Sequence, residues 1–201
     1  MHCRPLLVPQ WPGSGPLAPA EDGLLVFSLA TPYTRNRDHA RQLVRDALRE
    51  MLAPLLGCTP AAVPLISLPG RAIHLAPQEG EIGLSVSHEA GLSLVAIHLH
   101  GAVGVDLLRV AEIPLAGDEV LRLATDYLGA EVASRLSSLL EEARRQAFAK
   151  AWAGLEAGLK CLGKGLAEWS PERQALLANC RIRELALPAG LLGAVAVRIG
   201  Q

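Results

Sequence analysis

The chain has 201 residues, half of them hydrophobic, so it can bury a sizeable core and extensive disorder is excluded as the default expectation. Its 19 lysines and arginines nearly balance 20 acidic residues, for a formal net charge of -1, which argues against a general nucleic-acid-binding role. Any anion site must therefore be local. The 4 cysteines are widely and irregularly spaced and fit neither a zinc knuckle nor a small disulfide framework, so we predict reduced thiols in a cytoplasmic protein.

The first 22 residues are predicted to be an irregular lead-in. They are rich in proline, and no basic region precedes a hydrophobic stretch, so we expect no secretory signal. The longest apolar stretches, such as Leu185–Val197, are interrupted by proline and glycine and fall short of the roughly 20 residues that a membrane span needs. We therefore predict no membrane partner.

The first half of the chain is predicted to contain three strands and one long helix. Leu24–Leu29 has the composition of a strand, and Ile82–Ser87 and Leu92–His98 have that of a hairpin with a turn around Gly91. Apolar residues recur at helical spacing over Arg37–Leu56, and Gly57 follows in the usual position after a helix end. This half therefore combines a sheet with one amphipathic helix.

Two polar patterns in this half have more than one interpretation. Arg41, Arg45 and Arg49 lie four apart on the polar face of the predicted helix, and a stripe of this kind ordinarily just faces water. His98 and His100 alternate on one face of a strand, as a pair of metal ligands would. No third ligand stands at a useful spacing from them, so a metal site is the weaker interpretation.

The second half repeats the mixture of helices and strands. A strand is predicted at Ala102–Leu107 and a hairpin is predicted near the end of the chain. The predicted helices are Glu119–Leu128, Ala130–Leu140 and Glu141–Leu162, and the predicted hairpin strands are Ile182–Leu187 and Gly193–Ile199. This order predicts an α+β fold of two similar lobes, residues 1–101 and 102–201, without a direct sequence repeat.

Three groups of polar residues are candidates for chemistry, and each also has an ordinary structural explanation. Ser87 and His88 end a predicted strand, where a hydroxyl and an imidazole can meet an anion or simply form a turn. Asp106 interrupts an apolar strand, so its carboxylate must be paired, hydrogen-bonded or bound to metal. Glu156 and Lys160 lie four apart on a helix, the spacing of a common surface salt bridge.

The order and spacing of several segments match those of one known family. The segments are Gly70–Ala72 with Leu75, Leu84–His88 with Gly91, Val103–Asp106, and the residues Phe148, Trp152, Glu156, Ala157 and Lys160, followed by Gly163 and Gly165–Leu166. Together they resemble the motifs of the 4'-phosphopantetheinyl transferase superfamily in its larger, two-lobed form. The helix that carries Arg41 and Arg45 before Gly57 also resembles the arginine-rich first helix of that family.

This resemblance implies an activity: transfer of the 4'-phosphopantetheine group of coenzyme A to a serine of an apo acyl or peptidyl carrier protein, with Mg²⁺. It also implies a role for each matching residue. The metal ligands would be Asp106 and Glu156, the catalytic residues Glu156 and Lys160, and the coenzyme A contacts Arg71, Ser87 and His88, with Arg41 and Arg45 as candidates for the 3'-phosphate. The proton of the attacking serine would pass to Glu156 or to a metal-bound water. In the two-lobed form the site lies between lobes of one chain, which implies a monomer.

The sequence departs from the family pattern at four positions. Leu108 stands where a second acidic residue usually follows the metal aspartate, and Leu155 stands where a lysine usually precedes the helix glutamate. Ala72 and Ser85 replace the common proline and asparagine. The first two changes motivate an alternative function, a family member that binds coenzyme A or a carrier protein without efficient transfer. A third hypothesis is an unrelated α+β protein with coincidental motifs.

Overall fold

The computed structural model describes residues 4–13, 17–20, 22–33, 38–68, 72–76, 82–113 and 117–199. Within these ranges the strands are β1 (Leu6–Leu7), β2 (Gln10–Trp11), β3 (Leu24–Ala30), β4 (Leu65–Ile66), β5 (His74–Leu75), β6 (Gly83–Glu89), β7 (Leu92–His98), β8 (Val103–Arg109), β9 (Cys180–Ala186) and β10 (Leu191–Arg198). The α-helices are α1 (Asp38–Leu56), α2 (Gly117–Leu123), α3 (Ala130–Ser137), α4 (Glu141–Cys161) and α5 (Pro171–Leu177), and a π-helical turn, Ala124–Leu128, follows α2. The predicted α+β class is confirmed.

The long periodic segments were predicted well, and the short elements were not. The lead-in, predicted to be irregular, contains β1 and β2, which is a correction. Strand β1 pairs in parallel with β9, and β2 pairs in parallel with β3, so each extends the open edge of a sheet. A strand of 2 residues has no periodicity to detect, and it forms because a sheet edge offers free backbone partners. Helix α5 and the small β4–β5 pair were also missed.

The three long strands of each four-stranded sheet are connected in the same way. Their strand orders are β2-β3-β7-β6 and β1-β9-β10-β8. Apart from the two-residue strands β1 and β2, the first strand of each sheet lies beside its last strand in antiparallel pairing, as in β3–β7 and β8–β10. The short strands differ, because β2 extends the edge at β3 and β1 extends the edge at β9. The long helix, α1 or α4, follows that first strand. The long strands of the two sheets thus have equivalent topology although their sequences show no repeat.

The sheets pack face to face, with a long helix on each outer surface. Strand β3 alternates between the two sides, with Phe27 packing against residues of α1 and Val26 against residues of the second sheet. On the far side, Ala157 of α4 packs against Ala194 and Ala196 of β10. The result is a helix–sheet–sheet–helix arrangement. None of the helices described is both long and apolar enough to cross a membrane.

Strands β6 and β8 are the neighbouring edges of the two sheets, and serine side chains join them. The amide of Val105 donates to Ser85 Oγ at 2.9 Å, and the amide of Leu107 donates to Ser87 Oγ at 3.1 Å. Hydroxyl groups thus take the place of a backbone ladder and satisfy buried amides of β8. This contact brings the end of β6, with Ser87 and His88, beside the middle of β8, with Asp106.

The cysteines that the structure describes are free thiols: Cys58 is partly buried, and Cys161 and Cys180 are buried. Residue Cys3 lies outside the described ranges.

Candidate active site

Helix α4 and strand β8 approach closely because of Gly104. A Cβ atom at this position would clash with the carbonyl oxygen of Ala157 and lie 2.5 Å from the amide nitrogen of Cys161. Only glycine lets the two backbones touch in this way. The approach places the side chains of Glu156 and Lys160 beside that of Asp106, two residues beyond the glycine.

Asp106 is the centre of a buried polar network. The Nζ atom of Lys160 lies 2.7 Å from Asp106 Oδ1 and 3.1 Å from the carbonyl oxygen of Val105. The hydroxyl of Ser87 donates to the same Oδ1 atom at 3.1 Å. A carboxylate buried in an apolar strand is costly unless it is paired, and here an ammonium and a hydroxyl compensate it.

Glu156 adds a second carboxylate to the site. Burial raises its pKa above the ordinary value of 4.5, the negative charge of Asp106 raises it further, and the charge of Lys160 acts in the opposite direction. Lys160 makes its ion pair with Asp106 across the helix–strand contact. The simple i,i+4 surface bridge between Glu156 and Lys160 is therefore not the arrangement found. Two carboxylates that repel each other form a site that a divalent cation would stabilise.

The donor set of Asp106 and Glu156 fits Mg²⁺. This ion prefers hard oxygen ligands and commonly combines one or two carboxylates with waters and substrate phosphate oxygens. Across the described residues, no group of three or more histidine, cysteine, aspartate or glutamate side chains is arranged to hold a metal. Asp106 and Glu156 are the interacting carboxylates of the smaller cleft, and Glu89 also lines it. Leu108 lines the same cleft, at the position where the family resemblance implies an acidic residue.

The histidine pair considered from the sequence has another role. The ring nitrogens of His98 lie 3.2 Å from the carbonyl oxygen of Gly101 and 3.1 Å from that of Asp22. His98 is buried, and the ring of His100 meets it edge to face with 6.2 Å between centroids. His98 thus binds backbone carbonyls at the end of β7, as a structural histidine does.

Two adjoining clefts open at this site. The smaller has a volume of about 350 Å³ and is lined by Ser87, Asp106, Leu108, Trp152 and Glu156, among others. The larger has a volume of about 770 Å³ and is bordered by β6, α1 and the segment after α4. Val86, His88 and Lys160 line both clefts. The carboxylates thus face one cleft, and Lys160 stands at its junction with the other.

The larger cleft is basic although the chain as a whole is nearly neutral. Its charged or titratable lining residues are Arg41, Arg45, His88, Lys160 and Lys164, with Asp38 as the acidic member. Such a local excess of positive charge is what an anion site on a protein of net charge -1 requires. The cleft is large enough for a nucleotide-sized ligand.

The arginine stripe of α1 is divided between the cleft and the solvent. Arg41 and Arg45 line the larger cleft, and Arg49 does not. Within the helix, Arg41 pairs with Asp38 at 3.2 Å and Arg45 Nη2 donates to Gln42 Oε1 at 2.6 Å. Both cleft arginines are at least partly accessible and so can turn to an incoming anion.

Lys164 is a basic residue of the larger cleft that sequence reasoning missed. Helix α4 ends in a Schellman motif, in which the amide of Gly163 donates to the carbonyl of Lys160 at 3.1 Å and the amide of Lys164 donates to that of Leu159 at 2.9 Å. Gly163 has a φ of 63°, which favours glycine. The signal was present in the sequence, as a lysine between the two glycines that follow the helix.

Arg71 and Leu155 are two other positions that were singled out from the sequence. Arg71, predicted to contact coenzyme A, lies outside the described residues, so its role stays a prediction. Leu155, which replaces a family lysine, is buried and lines neither of the two clefts. At this position the helix therefore contributes to the core, and Lys164 supplies a cation to the cleft instead.

One wall of the smaller cleft is aromatic. Trp152 lines the cleft, and its ring lies 5.4 Å from that of Tyr127 and 5.4 Å from that of Phe148, measured between centroids. These contacts hold the indole of Trp152 against the buried side chain of Phe148. Trp152 therefore gives an aromatic surface to the cleft that also holds the carboxylates.

Comparison with known proteins agrees with this geometry. Residues 102–188 match the family model of the 4'-phosphopantetheinyl transferase superfamily. The matched segment includes β8 and α4, and so includes Asp106, Glu156 and Lys160. No curated protein matches the chain significantly. The match supports the resemblance to the 4'-phosphopantetheinyl transferase superfamily over residues 102–188, which include the motifs around Asp106 and Glu156.

Proposed function

We propose that this protein transfers the 4'-phosphopantetheine group of coenzyme A to a serine of an apo acyl or peptidyl carrier protein, in a Mg²⁺-dependent reaction. One observation carries the proposal. Within the family-matched segment, Asp106, Glu156 and Lys160 meet at a cleft that adjoins a second, basic cleft. A reaction that combines a multiply charged nucleotide substrate with a metal ion needs these two features side by side.

Coenzyme A would place its phosphates in the larger cleft. Arg41, Arg45 and Lys164 would neutralise the 3'-phosphate and its neighbours, and His88 would contact phosphate at the junction. The hydroxyl of Ser87 already donates to Asp106 and accepts from the amide of Leu107. In this proposal Ser87 therefore orients the metal carboxylate, and its predicted contact with coenzyme A becomes secondary.

The chemistry would take place in the smaller cleft. The carrier serine oxygen attacks the β-phosphorus of coenzyme A, a new P–O bond forms, and the bond to the α-phosphate breaks to release 3',5'-ADP. Glu156 lines the same cleft and would accept the serine proton. Lys160 neutralises charge that develops on the leaving phosphate. Mg²⁺ held by Asp106 and Glu156 would supply the main electrostatic stabilisation.

The proposal extends to the organisation of the protein. We propose that residues 1–101 and 102–201 form two similar lobes with the site between them. The equivalent topology of the two sheets supports this division. We further propose a cytoplasmic monomer. Light scattering in solution tests the oligomeric state, and a mass twice that of one chain would exclude the monomer.

A mass-spectrometric assay tests the function directly. The purified protein is incubated with coenzyme A, Mg²⁺ and apo carrier proteins of the fatty-acid, polyketide and nonribosomal-peptide types, and each carrier is then weighed. A carrier gaining the mass of one phosphopantetheine group supports the proposal. The matched control is the same carrier with its acceptor serine replaced by alanine. No gain on any carrier, with Mg²⁺ present, would contradict an active transferase.

A second candidate function is binding without efficient transfer. The observation that favours it is Leu108, which lines the smaller cleft where a third carboxylate would strengthen the metal site. Calorimetric titration with coenzyme A, beside the mass assay, separates the two functions. Binding without carrier modification supports this alternative, and absence of both would favour an unrelated α+β protein with coincidental motifs.

A further inference from the structure

His88 and Ser93 face each other across the β6–β7 hairpin. They are directly paired in the antiparallel register, so their side chains lie on the same face of the sheet. The Nδ1 atom of His88 lies 2.7 Å from Ser93 Oγ, a short hydrogen bond. Ser93 belongs to neither the family motif nor the lining of the two clefts. The residue therefore touches the site only through the histidine ring.

The serine hydroxyl is itself held from behind. Ser93 is completely buried, and its Oγ donates to Thr31 Oγ1 at 3.5 Å. Thr31 is also buried, and its amide donates to the carbonyl of Gly91 in the hairpin turn at 3.1 Å. A serine has one proton to donate. If that proton points to Thr31, the Ser93 oxygen is left to accept a hydrogen bond from Nδ1–H of His88.

We infer that Ser93 is a positioning residue that fixes the orientation and the tautomer of His88. In that arrangement the ring proton is on Nδ1, and Ser93 holds the ring where it lines both clefts. This inference deepens the proposed function and rests on it, since the ligand would be the phosphates of coenzyme A. Ser93 would then contribute to coenzyme A binding without touching the ligand.

Kinetics with a double-mutant cycle test this role. We expect Ser93→Ala to raise the KM for coenzyme A about three- to tenfold, the range that one hydrogen bond supplies, with kcat changed less than about twofold. In a His88→Gln background the same substitution should change the KM no further, because the ring through which Ser93 acts is absent. An equal effect in both backgrounds would show that Ser93 only supports the fold and would overturn the inference.

A spectroscopic readout makes the test independent of turnover. Long-range ¹H–¹⁵N NMR spectra distinguish Nδ1–H from Nε2–H rings, and His88→Gln identifies the His88 signals. At about pH 8, above the ordinary histidine pKa, we expect wild-type His88 to carry its proton on Nδ1 and Ser93→Ala to shift it toward Nε2. An Nε2–H ring in the wild type, or the same tautomer in both proteins, would overturn the inference.

The two readouts separate this inference from the proposed function. If the wild type neither binds coenzyme A nor transfers its group, but His88 has the expected tautomer, the proposed function is refuted. The coupling between His88 and Ser93 then still holds. If Ser93→Ala does not fold, Thr31→Val replaces it, because this change removes the second hydroxyl while keeping a similar shape. We expect it to shift the tautomer in the same direction to a smaller extent, and an unchanged ring would again count against the inference.

Discussion

Lys160 of α4 binds the carboxylate of Asp106 of β8 at 2.7 Å, so the predicted catalytic lysine and the predicted metal aspartate form one ion pair. The Lys160 side chain is 33% exposed and that of Asp106 is 12% exposed, and both line the smaller cleft. Before any cation arrives, the ammonium compensates the buried carboxylate. Binding of Mg²⁺ and coenzyme A would let the Lys160 ammonium move from Asp106 to a phosphate.

The first prediction concerns the charge of Asp106. Asp106→Asn keeps the volume of the side chain and removes the charge that would hold Mg²⁺. We expect transfer to fall by about a hundredfold or more, as on removal of one strong electrostatic contact, while the far-UV circular dichroism stays unchanged. Ser87→Ala is the control, since it removes the hydroxyl and keeps the carboxylate, and it should cost less. Unchanged turnover in Asp106→Asn would assign Asp106 a purely structural role.

The second prediction concerns the missing carboxylate at Leu108. Leu108 lines the smaller cleft and also packs against the hydrophobic clusters around α2, α3 and α4. We therefore expect Leu108→Glu to strengthen Mg²⁺ binding without coenzyme A and, at the same time, to lower the melting temperature. Leu108→Gln should lower the melting temperature similarly without the gain in metal affinity. A metal titration beside a thermal melt checks both, and equal Mg²⁺ affinities of the two variants would place residue 108 outside the metal shell.

The third prediction concerns Lys164 and its position after α4. Lys164→Ala should weaken coenzyme A binding about three- to tenfold, because one charged contact to a phosphate is lost, and the loss should shrink as salt is raised. Lys150→Ala is the matched control, since Lys150 pairs with Glu184 and lines neither cleft. Calorimetry at two ionic strengths measures the effect. Equal losses in the two variants would mean that only overall charge matters.

The fourth prediction concerns the pKa of Glu156. Because burial and Asp106 raise it, the fold favours the protonated form. Below the ordinary pKa of 4.5, the protonated carboxyl makes its full contribution to the free energy of unfolding. This contribution is lost as the pH rises through the higher pKa of the folded protein. In metal-free buffer, Glu156→Gln should therefore melt at a higher temperature than the wild type at neutral pH, with the difference vanishing at acidic pH. Exposed Glu168→Gln should show no such pattern, and a wild type more stable than Glu156→Gln at neutral pH would contradict the prediction.

The fifth prediction compares two glycines. Gly104→Ala places a methyl group against the backbone of α4 at Ala157 and Cys161, and neither backbone atom can move without shifting the helix. We expect the free energy of unfolding to fall by about 3 kcal/mol or more, because the site is overpacked. We also expect transfer to be lost. Gly154→Ala, inside α4, meets only Ile182 Cγ2 at 3.6 Å and should stabilise the helix by up to about 1 kcal/mol. Denaturant unfolding of both variants checks the contrast.

Sequence alone predicted the long regular elements and the family resemblance. The helices over Asp38–Leu56 and Glu141–Cys161 follow from apolar spacing sustained for many turns, which few other structures satisfy. The resemblance to the family followed from ordered motifs, because the spacing of Glu156 and Lys160 on one helix can be seen in the linear sequence. The short strands β1 and β2 could not be predicted, since their existence depends on sheet edges formed by distant residues.

Only the tertiary structure decided which side chains meet. Asp106 and Lys160 are 54 residues apart, and their ion pair exists because Gly104 allows α4 to rest on β8. The i,i+4 rule for helices would instead pair Lys160 with Glu156, four residues away. That spacing can be read from the sequence, whereas a contact between a helix and a strand cannot. The bond between His88 and Ser93 likewise depends on the register of the β6–β7 hairpin. Periodicity and motif order are local properties of the chain, whereas contacts between elements are set by how their faces pack.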